Sequence, residues 1–456
     1  MGLFSKVQME QINAAAKKCT QVTEPKKKKT SAKFINSKVD AMSAKVIEHF
    51  KDSTAELITS VDQLHDYITK MCEAGIGAID TETTGLDRIQ DTIVGVSLYY
   101  PCGVECYIPI KHIIPIFEEP YKDQLTYEQV GIELQRLVDS KCKLIFANAD
   151  FDLAMIFKDL KVDLIPVCFY DVILAWRCIK ENEKDNSLKG LYTKYVVKGA
   201  IDRMKFSDFF TPELFPYCKP SVAKLYAAAD AKYTYDLFVW QLPYLQKDNP
   251  KCQKHHLEAI ADLVWGLELP LIAVTQNMHR RGVYLESSVA DMLNVKYKAL
   301  LAKEQSDIQD SLKSYMDDTQ YYTSVKCPFG DYSNFNPNST QHVQWVVYDL
   351  LKLDSKGNGR STDKDVLGQF STPIIKQILH YRSLVTLIGT FVEKLPIVAD
   401  STPDHKIHCE FKQAGTDTGR YSSRDPNMQN IPSRQGDIRR MFRATPGYVM
   451  MSSDYS

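Results

Sequence analysis

No stretch of this sequence is apolar for long enough to cross a bilayer; none approaches the eighteen or so residues that a helical span needs. The first ten residues, M-G-L-F-S-K-V-Q-M-E, lack the uninterrupted apolar core of a secretory signal. These two absences predict a cytoplasmic chain with no membrane partner. No C-x-x-C pair occurs among the 11 cysteines. The closest two, Cys102 and Cys106, flank a predicted strand turn and have no histidine at zinc-ligand spacing, so reduced, buried thiols are expected. There is no internal repeat. Net charge is nearly absent as well, −1 from 56 basic and 57 acidic residues, which alone excludes no partner.

The 456 residues are 44% hydrophobic and 25% charged, an ordinary globular make-up with room for roughly two to four domains. Charge is segregated along the chain. Residues 1–51 carry +7 and residues 401–456 carry +2, which leaves −10 for the middle. Any nucleic-acid contact is therefore local. Residues 1–54 are expected to be a basic, polar, disordered leader. Its run Lys26 to Lys29 is either solvated or a weak phosphate-binding arm.

From about residue 55 the pattern becomes mixed. Short apolar runs at Ile76 to Ile79, Ile93 to Tyr100, Glu105 to Ile110 and Leu144 to Ala147 read as strands. Helical patterns follow over 150–160, 169–180 and 221–245, which predicts an α/β domain over 55–250. Beyond Pro270 the texture is helical. Ser287 and Ser288 are expected to cap a long amphipathic helix that turns Val289, Met292, Leu293, Leu300, Leu301, Ile308 and Leu312 towards a partner. A loop-like stretch over 317–340 and a second helical run over 373–395 complete this region.

Three acidic motifs lie in the α/β region. Asp80 and Glu82 end a predicted strand, where the two-residue period puts both carboxylates on one face. Asn148 and Asp152 bracket the start of a helix. Tyr226 and Asp230, four apart in a helical run, share another face. Any one motif is an ordinary set of surface acids. The three in order, each in a matching context, point to a shared site. Four converging carboxylates repel unless divalent cations neutralise them, and hard oxygen ligands suit Mg²⁺ or Mn²⁺. Two such ions about 4 Å apart support in-line hydrolysis of a phosphodiester.

The motifs D-T-E-T-T-G, N-A-D-F-D and Y-A-A-A-D resemble, in order, the 3′–5′ proofreading exonuclease of family A (polymerase I-like) DNA polymerases in its tyrosine-bearing version. The resemblance implies a ribonuclease H-like fold, a central mixed sheet with helices on its faces. It implies that Asp80 binds two metal ions, Glu82 and Asp230 the first, and Asp152 the second. Tyr226 would orient the nucleophilic water with help from Glu82. Asn148 would hydrogen-bond locally or touch the substrate strand. Asn186 to Lys189 also resembles a family stretch and is given a packing role.

Between Arg420 and Arg443 stand six arginines, no lysine and two aspartates. Planar guanidinium forks, with Asn427, Gln429 and Asn430 interleaved, suit phosphates and base edges, although a solvated face has the same composition. T-G-R-Y-S-S, D-P-N-M-Q-N-I-P, S-R-Q-G-D-I-R-R-M-F-R and the terminal D-Y-S resemble the start of the family A palm. By that resemblance Arg420 would contact the minor groove at the primer end. Asn427 and Asn430 would face the template, Arg434 a phosphate, and Asp454 would be the first polymerase metal ligand. Tyr421 stands where the family often has a smaller aliphatic. E-L-P-L-I, M-H-R-R-G-V, F-N-P-N-S, S-T-D-K-D-V-L and H-Y-R-S-L fit the same family upstream. The resemblance covers about residues 60–456. It implies a palm approach and mainly helical thumb over 251–400 and an incomplete palm over 401–456.

The sequence stops at Ser456, three residues into the carboxylate motif that D-Y-S resembles. Nucleotide addition needs carboxylates from two strands and a cation on the triphosphate. The expectation is therefore an N-terminal part of a split or interrupted polymerase. It would bind primer-template DNA and single-stranded 3′ ends, and would polymerise only with a separate C-terminal chain. The alternatives are a free-standing 3′–5′ exonuclease and a non-catalytic DNA-clamping subunit.

Overall fold

The computed structural model describes residues 32–115, 117–199, 205–355, 357–416, 418–432 and 436–454. They form two compact units. One comprises the described residues up to 147 together with 155–170 and 187–240; the other comprises 148–154, 171–186 and 241 onward.

The first unit is built on a six-stranded mixed sheet in the order β1-β4-β3-β2-β5-β6. The strands are β1 (Glu56–Leu57), β2 (Ile76–Thr83), β3 (Ile93–Tyr99), β4 (Cys106–Pro109), β5 (Lys143–Phe146) and β6 (Cys168–Asp171). All seven residues of β3, I-V-G-V-S-L-Y, are buried. That is why its sequence runs apolar instead of alternating, as a strand covered on both faces must. Strand β2 lies between β3, to which it is antiparallel, and β5, to which it is parallel. Its sequence is apolar up to Ile79 and polar from Asp80, so an inner strand delivers carboxylates at its C-terminal end.

Helix α1 (Ala32–His49) corrects the expectation of a disordered leader over 1–54. Val39, Met42 and Val46, spaced by three and four residues, form one buried stripe that joins the core containing Phe210, Phe215, Val222 and Tyr226. The rest of that leader up to residue 31, with Lys26 to Lys29, lies outside the described residues. Helices α2 (Val61–Ala74) and α3 (Tyr127–Asp139) both start on a capping box, Ser60 with Gln63 and Thr126 with Gln129. Helix α4 (Ala149–Leu160) follows β5 directly. The helix expected over 169–180 is divided: Cys168–Asp171 is β6, and α5 is Val172–Ile179. Asp171 causes the break. Its carboxylate accepts from the amides of Ile173 (2.8 Å) and Leu174 (3.0 Å), so the helix can begin only after it. Helices α6 (Leu188–Leu191) and α7 (Pro220–Gln241) lie further along this part of the chain.

The second unit is mainly helical. Helix α8 (Leu269–Arg281) is followed by α9 (Ser287–Asp317). Ser287 and Ser288 do not cap α9: Glu286 is the N-cap, makes no side-chain cap bond, and has its amide on Met441 O at 2.8 Å. Ser288 Oγ donates to Glu286 Oε1 at 3.0 Å. Of the residues expected to face inwards, Val289, Leu293, Ile308 and Leu312 are buried, whereas Met292 and Leu300 are exposed. The buried stripe advances by four residues, through Val289, Leu293 and Tyr297, and Met292 falls beside it. It packs on Leu384, Leu387 and Ile388 of the run α10 (Pro373–Leu387), which continues through a π-helical turn to α11 (Lys394–Asp400). Strands β7 (Val283–Tyr284) and β8 (Lys406–Ile407) pair antiparallel, as do β9 (Glu410–Lys412) and β10 (Ser422–Arg424). No helix among the described residues is long and apolar enough to cross a membrane.

Candidate active site

Asp80 and Glu82 project from the polar end of β2, on one side of the strand as the two-residue period requires. The β2–β3 register shifts between Glu82 and Thr83, so regular pairing ends where the second carboxylate leaves the sheet. Helix α7 presents Tyr226 and Asp230 one turn apart. The strand and helix bring Asp80, Glu82 and Asp230 together: one carboxylate oxygen from each lies within 4.8 Å of the others. Three like charges at that separation, with Glu82 buried, are stable only beside compensating positive charge.

Part of that charge comes from Lys189. Its Nζ lies 2.9 Å from Asp230 Oδ2 and 3.4 Å from the centre of the Tyr226 ring. Burial still pushes the Asp230 carboxyl above the usual carboxylate range, with Lys189 opposing the shift. Burial, then the charges of Asp230, Glu82 and Asp80, pushes the Tyr226 phenol well up, so its proton stays on the oxygen at neutral pH. The ring sits among Phe50, Phe206, Phe209 and Phe210, with centroids 5.2 to 6.1 Å away. Phe50 immediately follows α1, so the segment expected to be a leader supplies one wall of this aromatic seat.

A second buried layer lies under Glu82. Gly95 of β3 pairs with Glu82, and a Cβ there would collide with the Tyr107 hydroxyl. The missing side chain makes room for that ring. Tyr107 Oη is 2.8 Å from His112 Nε2. Burial lowers the His112 imidazole to about 4, against opposing backbone hydrogen bonds, so it is neutral at physiological pH.

Asp152 is not a member of the set of three. It is buried and stands in the first turn of α4, where the helix dipole favours negative charge. Asn148, at φ 78°, makes the left-handed step into that helix. The backbone amides of Asn148 (3.2 Å) and Ala149 (2.7 Å) donate to Asp171, so this one buried carboxylate caps both α4 and α5. Asp150, two residues before Asp152, accepts from Gln276 Nε2 at 2.6 Å and is 3.0 Å from His279 Nδ1. His279 Nε2 accepts from Phe411 N at 2.8 Å, which places the ring proton on Nδ1.

The donor set fits a hard divalent cation. All three grouped ligands are carboxylate oxygens, and Asp230 Oδ1 is buried with no hydrogen-bond partner among the described residues. An orphan acceptor beside two further carboxylates is the arrangement a cation completes.

Of the C-terminal residues, Arg420, Asn427 and Asn430 are exposed. Asn427 Oδ1 accepts from Ser423 Oγ and Gln429 N, each at 3.1 Å, and so caps the short turn Met428–Asn430. Arg434 lies outside the described residues. Tyr421, unusual from the sequence, has its hydroxyl 2.6 Å from Thr275 Oγ1; the larger side chain reaches a polar partner on α8. Asp454 is exposed and outside the carboxylate set. Tyr448 to Met451 are exposed, Val449 to 90%, and no described strand pairs with them.

Two functional candidates escaped the sequence reading. Lys189 was placed in a packing stretch, and nothing in N-S-L-K signals a partner 41 residues further on. Asp171 was absorbed into a continuous helix, although an Asp before V-I-L-A-W is a cap signal.

The 3′–5′ exonuclease family model matches residues 55–240, and the model of DNA polymerase family A matches residues 300–456. DNA polymerase I of Chloroflexus aurantiacus is 26% identical over 427 residues, 88% of this chain and 40% of the relative. The DNA polymerase of Escherichia phage T5 is 27% identical over 428 residues, 87% of this chain and 45% of the relative. This chain thus spans less than half the length of these curated relatives. Among solved structures, the POL domain of Pol1 from M. smegmatis, in complex with DNA primer-template and dNTP, has a TM-score of 0.61. It is 18% identical, and the match covers 86% of this chain and 59% of that one.

Proposed function

This chain belongs to the family A DNA polymerases, and on that premise we propose that residues 55–250 hydrolyse the 3′-terminal phosphodiester of DNA. The observation that carries the reading is the set Asp80, Glu82 and Asp230, with oxygens within 4.8 Å of one another. Asp152 is assigned to the same centre. A set of oxygen ligands supports Mg²⁺ or Mn²⁺, and two ions are proposed. When bound, they supply charge neutralisation and Lewis-acid stabilisation of the phosphoryl group.

The chain's own residues do the rest. Asp80, Glu82, Asp152 and Asp230 provide the negative charge that holds the cations. Tyr226 keeps its proton and holds the attacking water by its hydroxyl, with Glu82 as the other contact. Water oxygen bonds to phosphorus, the bond to the 3′ oxygen breaks, and the products are a nucleoside 5′-monophosphate and a strand with a 3′-hydroxyl. The aromatic seat of Tyr226 keeps the hydroxyl in one place, which is worth more in the transition state than in the free enzyme.

Residues 251–400 are proposed to approach the palm and grip duplex DNA. Residues 401–456 would contribute Arg420, Asn427, Asn430 and Arg434 to primer-template binding and Asp454 to a polymerase metal site. Nucleotide addition is proposed to need palm residues beyond Ser456, on this chain or a separate one. The test uses a 5′-labelled primer on a template with Mg²⁺. Stepwise 3′ shortening is expected in the wild type and not in Asp80→Ala. Equal shortening by both proteins would refute the site.

A further inference from the structure

Asp230 and Tyr226 stand one turn apart on α7, and each must keep one rotamer for the centre to work. Lys189 touches both. Its ammonium group is 2.9 Å from Asp230 Oδ2 and 3.4 Å from the centre of the Tyr226 ring. The lysine and aspartate side chains are each only 13% exposed. Asp230 Oδ1 is buried and without a hydrogen-bond partner among the described residues. The carboxylate is therefore divided, one oxygen held by the ammonium group and the other without a hydrogen bond from the described residues.

Desolvating a lysine is costly, and an ion pair this enclosed adds little net stability compared with apolar packing. A contact to a ring face recovers some of the loss. The backbone that carries Lys189 is fixed on both sides. Ser187 Oγ caps α6 by accepting from Gly190 N at 3.2 Å. On the far side, Tyr192 stacks on Tyr233 of α7, with centroids 4.1 Å apart and planes at 26°.

We infer that Lys189 is a positioning residue of the exonuclease centre: it holds Asp230 by Oδ2 so that Oδ1 remains for the cation, and it holds the Tyr226 ring from its face. This rests on the reading of Asp80, Glu82 and Asp230 as cation ligands. A positive charge that merely occupied the cation's place would have the opposite consequence, because its removal would tighten cation binding. The sign of the effect decides between them.

The experiment is calorimetric titration of the DNA-free protein with Mn²⁺, alongside thermal melting in EDTA. Lys189→Met is expected to fold and to bind Mn²⁺ about tenfold more weakly, the usual scale for losing a group that orients a ligand. Lys189→Arg, which keeps the charge and can meet a carboxylate and a ring, is expected to lie nearer the wild type. Unchanged or tighter binding by Lys189→Met would overturn the inference. Should that variant not fold, Lys189→Gln is judged by the same criterion. Undiminished Mn²⁺ binding by Asp80→Ala would instead remove the cation site itself, and the inference with it.

Discussion

Tyr226 is placed to act as a neutral phenol. Its ring is fixed by four phenylalanines and by Lys189, and burial with three nearby carboxylates keeps the proton on its oxygen. Tyr226→Phe retains the ring and loses only the hydroxyl. Exonuclease turnover should then fall by about a hundredfold or more, while the melting temperature changes little. A variant with wild-type turnover would take the water-positioning role from this residue. His112 behaves differently, because its environment disfavours charge. Its imidazole is held at about 4 in the folded protein and returns to its ordinary value near 6.5 on unfolding. Between those limits the unfolded state binds the extra proton, so this group lowers stability as pH falls below about 6.5. The lowering is complete near pH 4, at about 3 kcal/mol. Urea midpoints for wild type and His112→Gln should converge from pH 7 to pH 5 if the wild type starts the more stable. Parallel curves would contradict the assignment.

Elements decided how much could be read in advance. Strand β2 was legible because an apolar run that turns polar at D-T-E has one sensible placement, an inner strand ending at a site. The partnership of Tyr226 with Asp230 was legible from helical spacing alone. Helix α1 was not. A stripe of Val39, Met42 and Val46 in a lysine-rich segment has the right spacing, but the charge around it outweighed three apolar residues. What stabilises it is tertiary: the core with Phe210 and Phe215, which no local pattern reveals. The division of 169–180 into β6 and α5 was hidden for a related reason, since F-Y-D-V-I-L-A is apolar enough for either element. Only the Asp171 cap separates them. The consequence for α1 can be measured. Met42→Ala, at a buried position, should cost about 2–5 kcal/mol in urea unfolding of the first unit. It should also slow the exonuclease through the seat of Tyr226. A change within 0.5 kcal/mol, typical of a surface position, would return α1 to the status of a loosely attached arm.

At the scale of the whole molecule, the sequence joins a segment matched by the 3′–5′ exonuclease family model to one matched by the family A polymerase model. Its net charge of −1 leaves the DNA contacts to local groups. Arg420, Asn427 and Asn430 are exposed, as their proposed role requires. The central claim is that Asp80, Glu82 and Asp230 hold catalytic cations. The most direct test follows a 5′-labelled primer-template on a denaturing gel, with Mg²⁺, with EDTA, and after Mg²⁺ is restored to the EDTA-treated sample. Shortening of the primer one nucleotide at a time, abolished by EDTA, restored by Mg²⁺ and absent in Asp80→Ala, is the predicted result. Shortening that persists in EDTA, or in Asp80→Ala, would contradict it.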